Sequence, residues 1–249
     1  MSNFILHCGA EEKSYDQLLS LNSTHYQPLS PTHKPVPHWK VASMFKQSVK
    51  KHSEYSVVWE RYGVSGKKGT ELFGAMGLRK DGDFNKDYEM FICFRHSNEM
   101  RFSLRGGIGD CFFLCDNMSM KIEHEIAGTK HTMNIGATGQ LRIDELTKDI
   151  LQMDVNLHEC NDRYRRTVIG QKISDHLINE TVRQGGLQKT KAMVVDAEFM
   201  NPSYDYDMGG NTLLDLKHAF THVAKGSFYG DQIKRSQIMH KVFDNYLGA

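Results

Sequence analysis

Apolar positions in HWKVASMFKQSVKKH (38–52) recur as Val41, Met44, Phe45 and Val49, the spacing of one helical face. After that the period changes. YSVVWERYGV (55–64), TELFGAMGLRK (70–80) and YEMFICFRHS (88–97) are rich in β-branched and aromatic residues. They are separated by the turn-forming SGKKG and DGDFNKD. FSLRGGIGDCFFLCDN (102–117) reads as a strand, a turn at Gly106, Gly107 and Gly109, and a second strand apolar on both faces. These runs predict an antiparallel meander of about five strands joined by hairpin loops.

Further on, Ile143, Leu146, Ile150, Met153, Leu157, Cys160, Tyr164 and Thr167 alternate in steps of three and four. That stripe predicts one long helix packed across the sheet. GQKISDHLINETVRQGG (170–186), NTLLDLKHAFTHVAKG (211–226) and DQIKRSQIMHKVFDNYLG (231–248) predict further helices, and 189–211 reads as a loop or strand-loop region. SYDQLLSL (14–21) is long enough for one or two helical turns, and 25–38 holds four of the five prolines, an extended connector. The expected fold class is α+β, a five-strand meander packed by a long helix with a helical C-terminal part. Its expected domains are an N-terminal segment and connector (1–37), an α+β core (38–186), and a C-terminal loop with a helical hairpin packed on it (187–249).

Composition narrows the function only slightly. The formal charge of the 249 residues is +1, so any case for an anionic partner rests on local patches. No window approaches the roughly 20 apolar residues of a spanning helix, and the N-terminal apolar run is too short for a secretory signal. The five cysteines, odd in number and irregularly spaced, suit reduced thiols. The expected location is the cytoplasm, with no membrane partner.

The local patch exists. Lys34, Lys40, Lys46, Lys50, Lys51, Arg61, Lys67 and Lys68 face only Glu54 and Glu60 between His33 and Lys68, and Trp39, Phe45, Tyr55, Trp59 and Tyr62 are interleaved with them. Arg101 and Arg105 follow on the meander. Cations that neutralise phosphates, with rings that stack on bases, are what single-stranded nucleic acid requires. The expected interface is Lys46, Lys50, Lys51, Lys67, Lys68, Arg101 and Arg105 for phosphates, with Trp39, Trp59 and Tyr62 for bases.

Other chemistry has weaker support. GKKGT (66–70) lacks the spacer of a phosphate-binding loop, and RGGIG precedes a strand rather than a helix. Cys111 and Cys115, with His124, His131, His158 and Cys160, do not match zinc-ligand spacing. Asp196, Glu198, Asp205 and Asp207 are candidate ligands for Mg²⁺ or Ca²⁺. No cofactor and no catalytic residue is expected.

RHSNEMRFSLRGGIGDCFFLCDNMSM (95–120), KHT (130–132), LLDLKHAFTHV (213–223) and RSQIMHKVFD (235–244) together resemble a family of phage- and plasmid-encoded proteins, the phage/plasmid-like proteins, over roughly residues 38–245. The resemblance implies a role in DNA metabolism and assigns no catalytic residue. The expected function is non-enzymatic single-stranded DNA binding, in the manner of an annealing protein, with self-association. Its alternatives are a module that occupies a host protein and a metal-dependent nuclease using the four carboxylates.

Overall fold

The computed structural model describes residues 10–21, 26–80, 88–112, 117–119, 134–203, 211–224 and 229–248. Its strands are β1 (Glu11–Lys13), β2 (Tyr55–Ser65), β3 (Glu71–Lys80), β4 (Tyr88–Ser97), β5 (Arg105–Phe112) and β6 (Asn117–Ser119). They form one antiparallel sheet in sequence order, β1 to β6. The helices are α1 (Tyr15–Ser20), α2 (His38–His52), α3 (Ile135–Lys148), α4 (Ile150–Arg166), α5 (Gln171–Arg183), α6 (Ala192–Met200), α7 (Leu213–Ala224) and α8 (Tyr229–Leu247). The fold is α+β. None of the described helices is long and apolar enough to cross a membrane.

The side-chain period of a strand is two, so one face is built from alternate residues. Met90, Ile92 and Phe94 of β4, Leu72, Met76 and Leu78 of β3, and Ile108 of β5 enter one buried cluster with α2, α3 and the first half of α4. In β2 the register shifts between Val57 and Trp59. This bulge at Val58 changes the parity, so that Tyr55 and Val57 before it, and Tyr62 and Val64 after it, all reach the same core. Phe45 of α2 stacks on Phe94, ring centroids 4.3 Å apart. Phe94 in turn lies over Gly74, where an added Cβ would fall 2.3 Å from its ring.

Three expectations are corrected here. Gly106, Gly107 and Gly109 lie inside β5, paired with Phe94, Cys93 and Phe91, and not in a turn. A glycine opposite a phenylalanine leaves room for the ring to lie across the strand. The long helix is two helices, broken at Asp149 (φ −94°, ψ 4°), although the stripe stays buried from Ile143 to Tyr164. Residues 192–200, expected within a loop or strand-loop, form α6. Val195 and Phe199, four apart on one helical face, enter the second core and override the strand preference of the Val-Val pair.

That second core draws on α4 from Cys160 onward and on α5 to α8. Its centre is α7, buried from Leu213 through Thr221. Thr212 caps it: Thr212 Oγ1 accepts from the Asp215 N–H (3.2 Å), and Asp215 Oδ2 accepts from the Thr212 N–H (2.8 Å). Residues 10–21 also belong to the body, because β1 pairs with β2 and Leu18 of α1 is in the first core.

The two cores are joined by a buried polar knot. Lys217 Nζ of α7 donates to Asp110 Oδ2 of β5 (2.7 Å) and to Asn161 Oδ1 of α4 (2.8 Å). Asn161 Nδ2 donates to the same Asp110 oxygen (2.9 Å). The Lys217 and Asp110 side chains are 1% and 0% exposed, so neither charge has water to fall back on.

Candidate nucleic-acid interface

Three segments meet at one end of the sheet: the connector leading into α2, the β2–β3 loop, and the β4–β5 loop. The bond that holds the first and third is reciprocal. Asn98 Oδ1 accepts from the Val36 N–H (2.9 Å), while Asn98 Nδ2 donates to the Val36 carbonyl (3.0 Å). The Asn98 backbone N–H donates to the Thr70 carbonyl (2.9 Å), which brings in the β2–β3 loop. His38, the first residue of α2, bonds through Nε2 to the Gly69 carbonyl (2.8 Å) and through Nδ1 to His96 Nε2 (2.7 Å). His38, His96 and Asn98 are all buried.

The loops themselves are tightly wound. Gly66 and Gly69 have positive φ, and a Cβ on Gly69 would meet Val64 at 2.9 Å. Lys68 (φ 59°) and Met100 (φ 56°) are non-glycine residues in the left-handed region, and they sit in the two loops that Asn98 and Thr70 join. Such backbone carries a cost of order 1 kcal/mol or more per residue and persists where the surroundings impose it.

This framework carries cations. Lys34, Lys40, Lys67 and Lys68 are exposed and form no ion pair among the described residues. Arg101 is exposed and holds Glu71 Oε1 (2.8 Å), whose other oxygen accepts from Ser65 (2.9 Å). Arg105 is paired across the strands with Arg95. The Arg95 guanidinium lies over the Phe102 ring, 5.0 Å from its centroid. Phe102 is half-buried and also packs on Phe73 (5.8 Å).

Of the ten expected interface residues, Lys67, Lys68, Arg101 and Arg105 therefore share one end, and Lys46, Lys50, Lys51, Trp59 and Tyr62 do not join them. Lys50 and Lys51 close the far end of α2, about 18 Å from the His38 contact at 1.5 Å per residue. Lys51 also faces Asp144 (3.5 Å). Lys46 is neutralised by Glu60 (2.7 Å) with its ammonium over the Tyr15 ring. Tyr62 is corrected outright as a stacking residue. It is 0% exposed, wedged against Tyr15 and Phe94, and its hydroxyl donates to Glu60 (3.0 Å). Burial pushes its phenol well above the ordinary range. Trp59 lies on the opposite sheet face over Gly77, with its indole N–H bonded to Glu89, which also takes Arg79 (3.1 Å). Trp39 is partly buried against the first core.

Two of the four candidate carboxylates are described, and each is held by a neighbour. Asp196 accepts from Gln171 (2.7 Å), whereas the buried Glu198 accepts from the Ser203 N–H (2.9 Å) and hydroxyl (2.7 Å). Asp205 and Asp207 lie outside the described residues. Among the described residues no three His, Cys, Asp or Glu side chains gather as a metal site.

His38, His96 and Asn98 are the residues that sequence reasoning passed over, although a signal for one of them was there. His96 follows Met90, Ile92 and Phe94 at the same parity, so it had to face the core. No family model, curated protein or solved structure matches the chain.

Proposed function

We propose that this chain is a non-enzymatic nucleic-acid-binding protein that takes single-stranded DNA on its three-segment loop platform. The phage/plasmid-like resemblance gives that reading its setting in DNA metabolism. One observation carries it: Lys34, Lys40, Lys67 and Lys68, which form no ion pair among the described residues, and Arg101 are presented by segments locked together through Asn98, His38 and His96. Unneutralised cations on a rigid frame suit phosphates, because little ordering cost is left for binding. Phe102, flanked by Arg95 and beside Arg101, takes the base-stacking role expected of Tyr62 and Trp59.

The test is fluorescence anisotropy of a labelled oligothymidine strand against salt. Each phosphate contact contributes roughly 0.7 to the slope of log affinity on log salt. The double variant Lys67→Glu/Lys68→Glu should lose at least tenfold in affinity and flatten the slope, whereas Lys50→Glu/Lys51→Glu should change it by less than threefold. Undetectable binding at low salt overturns the proposal, and so does an equal loss from both pairs. Size-exclusion chromatography with and without the oligonucleotide reads self-association in the same samples.

A further inference from the structure

We infer that the buried polar knot is the reactant state of an autocatalytic crosslink: Lys217 and Asn161 join through an isopeptide bond with loss of ammonia, and Asp110 relays the protons. This modification stands apart from the nucleic-acid reading and does not depend on it.

Only one orientation of the amide fits the knot. An ammonium only donates and a carboxylate only accepts, so Asn161 must turn Oδ1 to Lys217 Nζ (2.8 Å) and Nδ2 to Asp110 Oδ2 (2.9 Å). The amine therefore meets the carbonyl end of the amide. The carbonyl carbon lies one C=O bond of about 1.2 Å further on, hence within about 4 Å of Nζ. Near-attack separations are about 3–3.5 Å, so a shift of about 1 Å or less brings the two atoms together. Asp110 Oδ2 touches both nitrogens that must exchange protons, since it also lies 2.7 Å from Nζ. Its other oxygen, Oδ1, is buried and has no partner among the described residues.

The step balances with no co-reactant. A proton passes from Lys217 Nζ to Asp110 along their hydrogen bond, which leaves a neutral amine with a lone pair. That pair forms the bond from Nζ to the Asn161 carbonyl carbon, and the carbonyl π electrons move onto Oδ1 of Asn161. Asp110 gives its proton to Asn161 Nδ2. The carbonyl re-forms, the carbon–Nδ2 bond breaks with its electron pair on nitrogen, and ammonia leaves. The surplus proton on Nζ passes to Asp110, which ends as a neutral acid.

Burial favours this outcome. Lys217, Asp110 and Asn161 are 0%, 0% and 3% exposed, so bulk water neither screens the ion pair nor competes as a nucleophile. The reaction discharges both members of the pair, and desolvation of those charges is the main cost of burying it. Three packed elements hold the reacting groups, which makes the aminolysis intramolecular. The bond tethers α4 to α7 across 56 positions of sequence. Because its proton relay stands on β5, it forms only after both helices have docked on the sheet. Before that step the ion pair alone joins the cores, so losses in knot variants are read against freshly folded, unbonded parent chain.

Intact-mass spectrometry of the purified full chain, repeated after a week at neutral pH, tests the inference. The expected mass is about 17 Da below that of the unmodified sequence, one ammonia lost. An acylated Lys217 resists trypsin, so digestion should yield peptides 149–163 and 192–225 as one linked species. Asp110→Asn removes the relay at nearly constant shape and should show the full mass and separate peptides, with circular dichroism checking that it folds. The parent decides the matter even where that variant does not fold. Full mass and a free 149–163 peptide at both times overturn the inference. So does a loss of about 17 Da without a Lys217 link, which marks cyclisation at an asparagine instead. A loss of about 18 Da with Lys217 joined to Asp110 overturns the assignment of Asn161 as the acyl donor. A folded Asp110→Asn chain linked as fully as the parent overturns the relay.

Discussion

Lys67 and Lys217 are the same residue type in opposite circumstances. The first sits on a loop in water, with no counter-ion among the described residues. The second is sealed between β5, α4 and α7, with Asp110 and Asn161 accepting its protons. At the loop end the framework is neutral and the charge is displayed outward. At the knot the charge is itself the framework. Removing a displayed lysine should alter binding and leave folding alone. Removing the enclosed one should unfold the join between the two cores.

The largest expected effect tests the second half of that contrast. Lys217→Met strands the Asp110 carboxylate, and breaking a buried pair in this way costs about 3–5 kcal/mol. For a chain of this size, thermal unfolding should fall by on the order of 10 °C. The double variant Asp110→Leu/Lys217→Met should recover most of that loss, because no charge is left unpaired. A loss below about 1 kcal/mol for the single variant would break the comparison.

Asn98→Ala comes next. It removes both bonds to Val36 and should cost about 2–3 kcal/mol by leaving buried backbone groups unpaired. Denaturant titration reads that cost, and oligonucleotide affinity should fall with it.

Acid should act on the helical core through His218. Burial, then Lys217 and Arg165, lowers its pKa to about 3, below the 6.5 of the unfolded chain. Its contribution is therefore complete above pH 6.5 and is lost as the pH falls from 6.5 toward 3, at up to about 1.4 kcal/mol per pH unit. Urea midpoints at pH 7, 6 and 5 check the sign, and His218→Asn should flatten the trend.

The smallest effect sharpens the first half of the contrast. Lys68→Gly relieves a left-handed residue and should stabilise the fold by about 0.5–1 kcal/mol while weakening oligothymidine binding. A variant that gains stability and loses affinity separates display from support within one side chain.

Much of the architecture was legible because its signals are local. The helical spacing at 38–52 and the β-rich runs at 55–64, 70–80 and 88–97 correspond closely to α2, β2, β3 and β4. The glycines of β5 misled, since glycine marks both turns and strand positions that face a large ring, and Phe94 and Phe91 lie nonlocally across the sheet. α6 was hidden in the same way, because its helix is set by Val195 and Phe199 in the second core.

The site was legible only as a surplus of cations. That Glu60 neutralises Lys46, or that Tyr62 points inward, depends on strand parity after a bulge that no residue in SVVWER announces. Lys217 fell inside the helix predicted over 211–226, with no signal of its own. In LLDLKHAF, though, apolar residues fall on every side, and a helix of that kind has no surface face to offer a lysine.

The knot also constrains biosynthesis. Asp110 and Lys217 are 107 residues apart. At ribosomal rates of roughly 5–20 residues per second, about 5–20 s elapse between the emergence of the two. Throughout that interval the nascent sheet must keep the β5 end hydrated, since sealing it early would entomb a lone anion. Closure is thus deferred to the arrival of α7, and a polypeptide halted before that helix would carry an unfinished, water-filled seam.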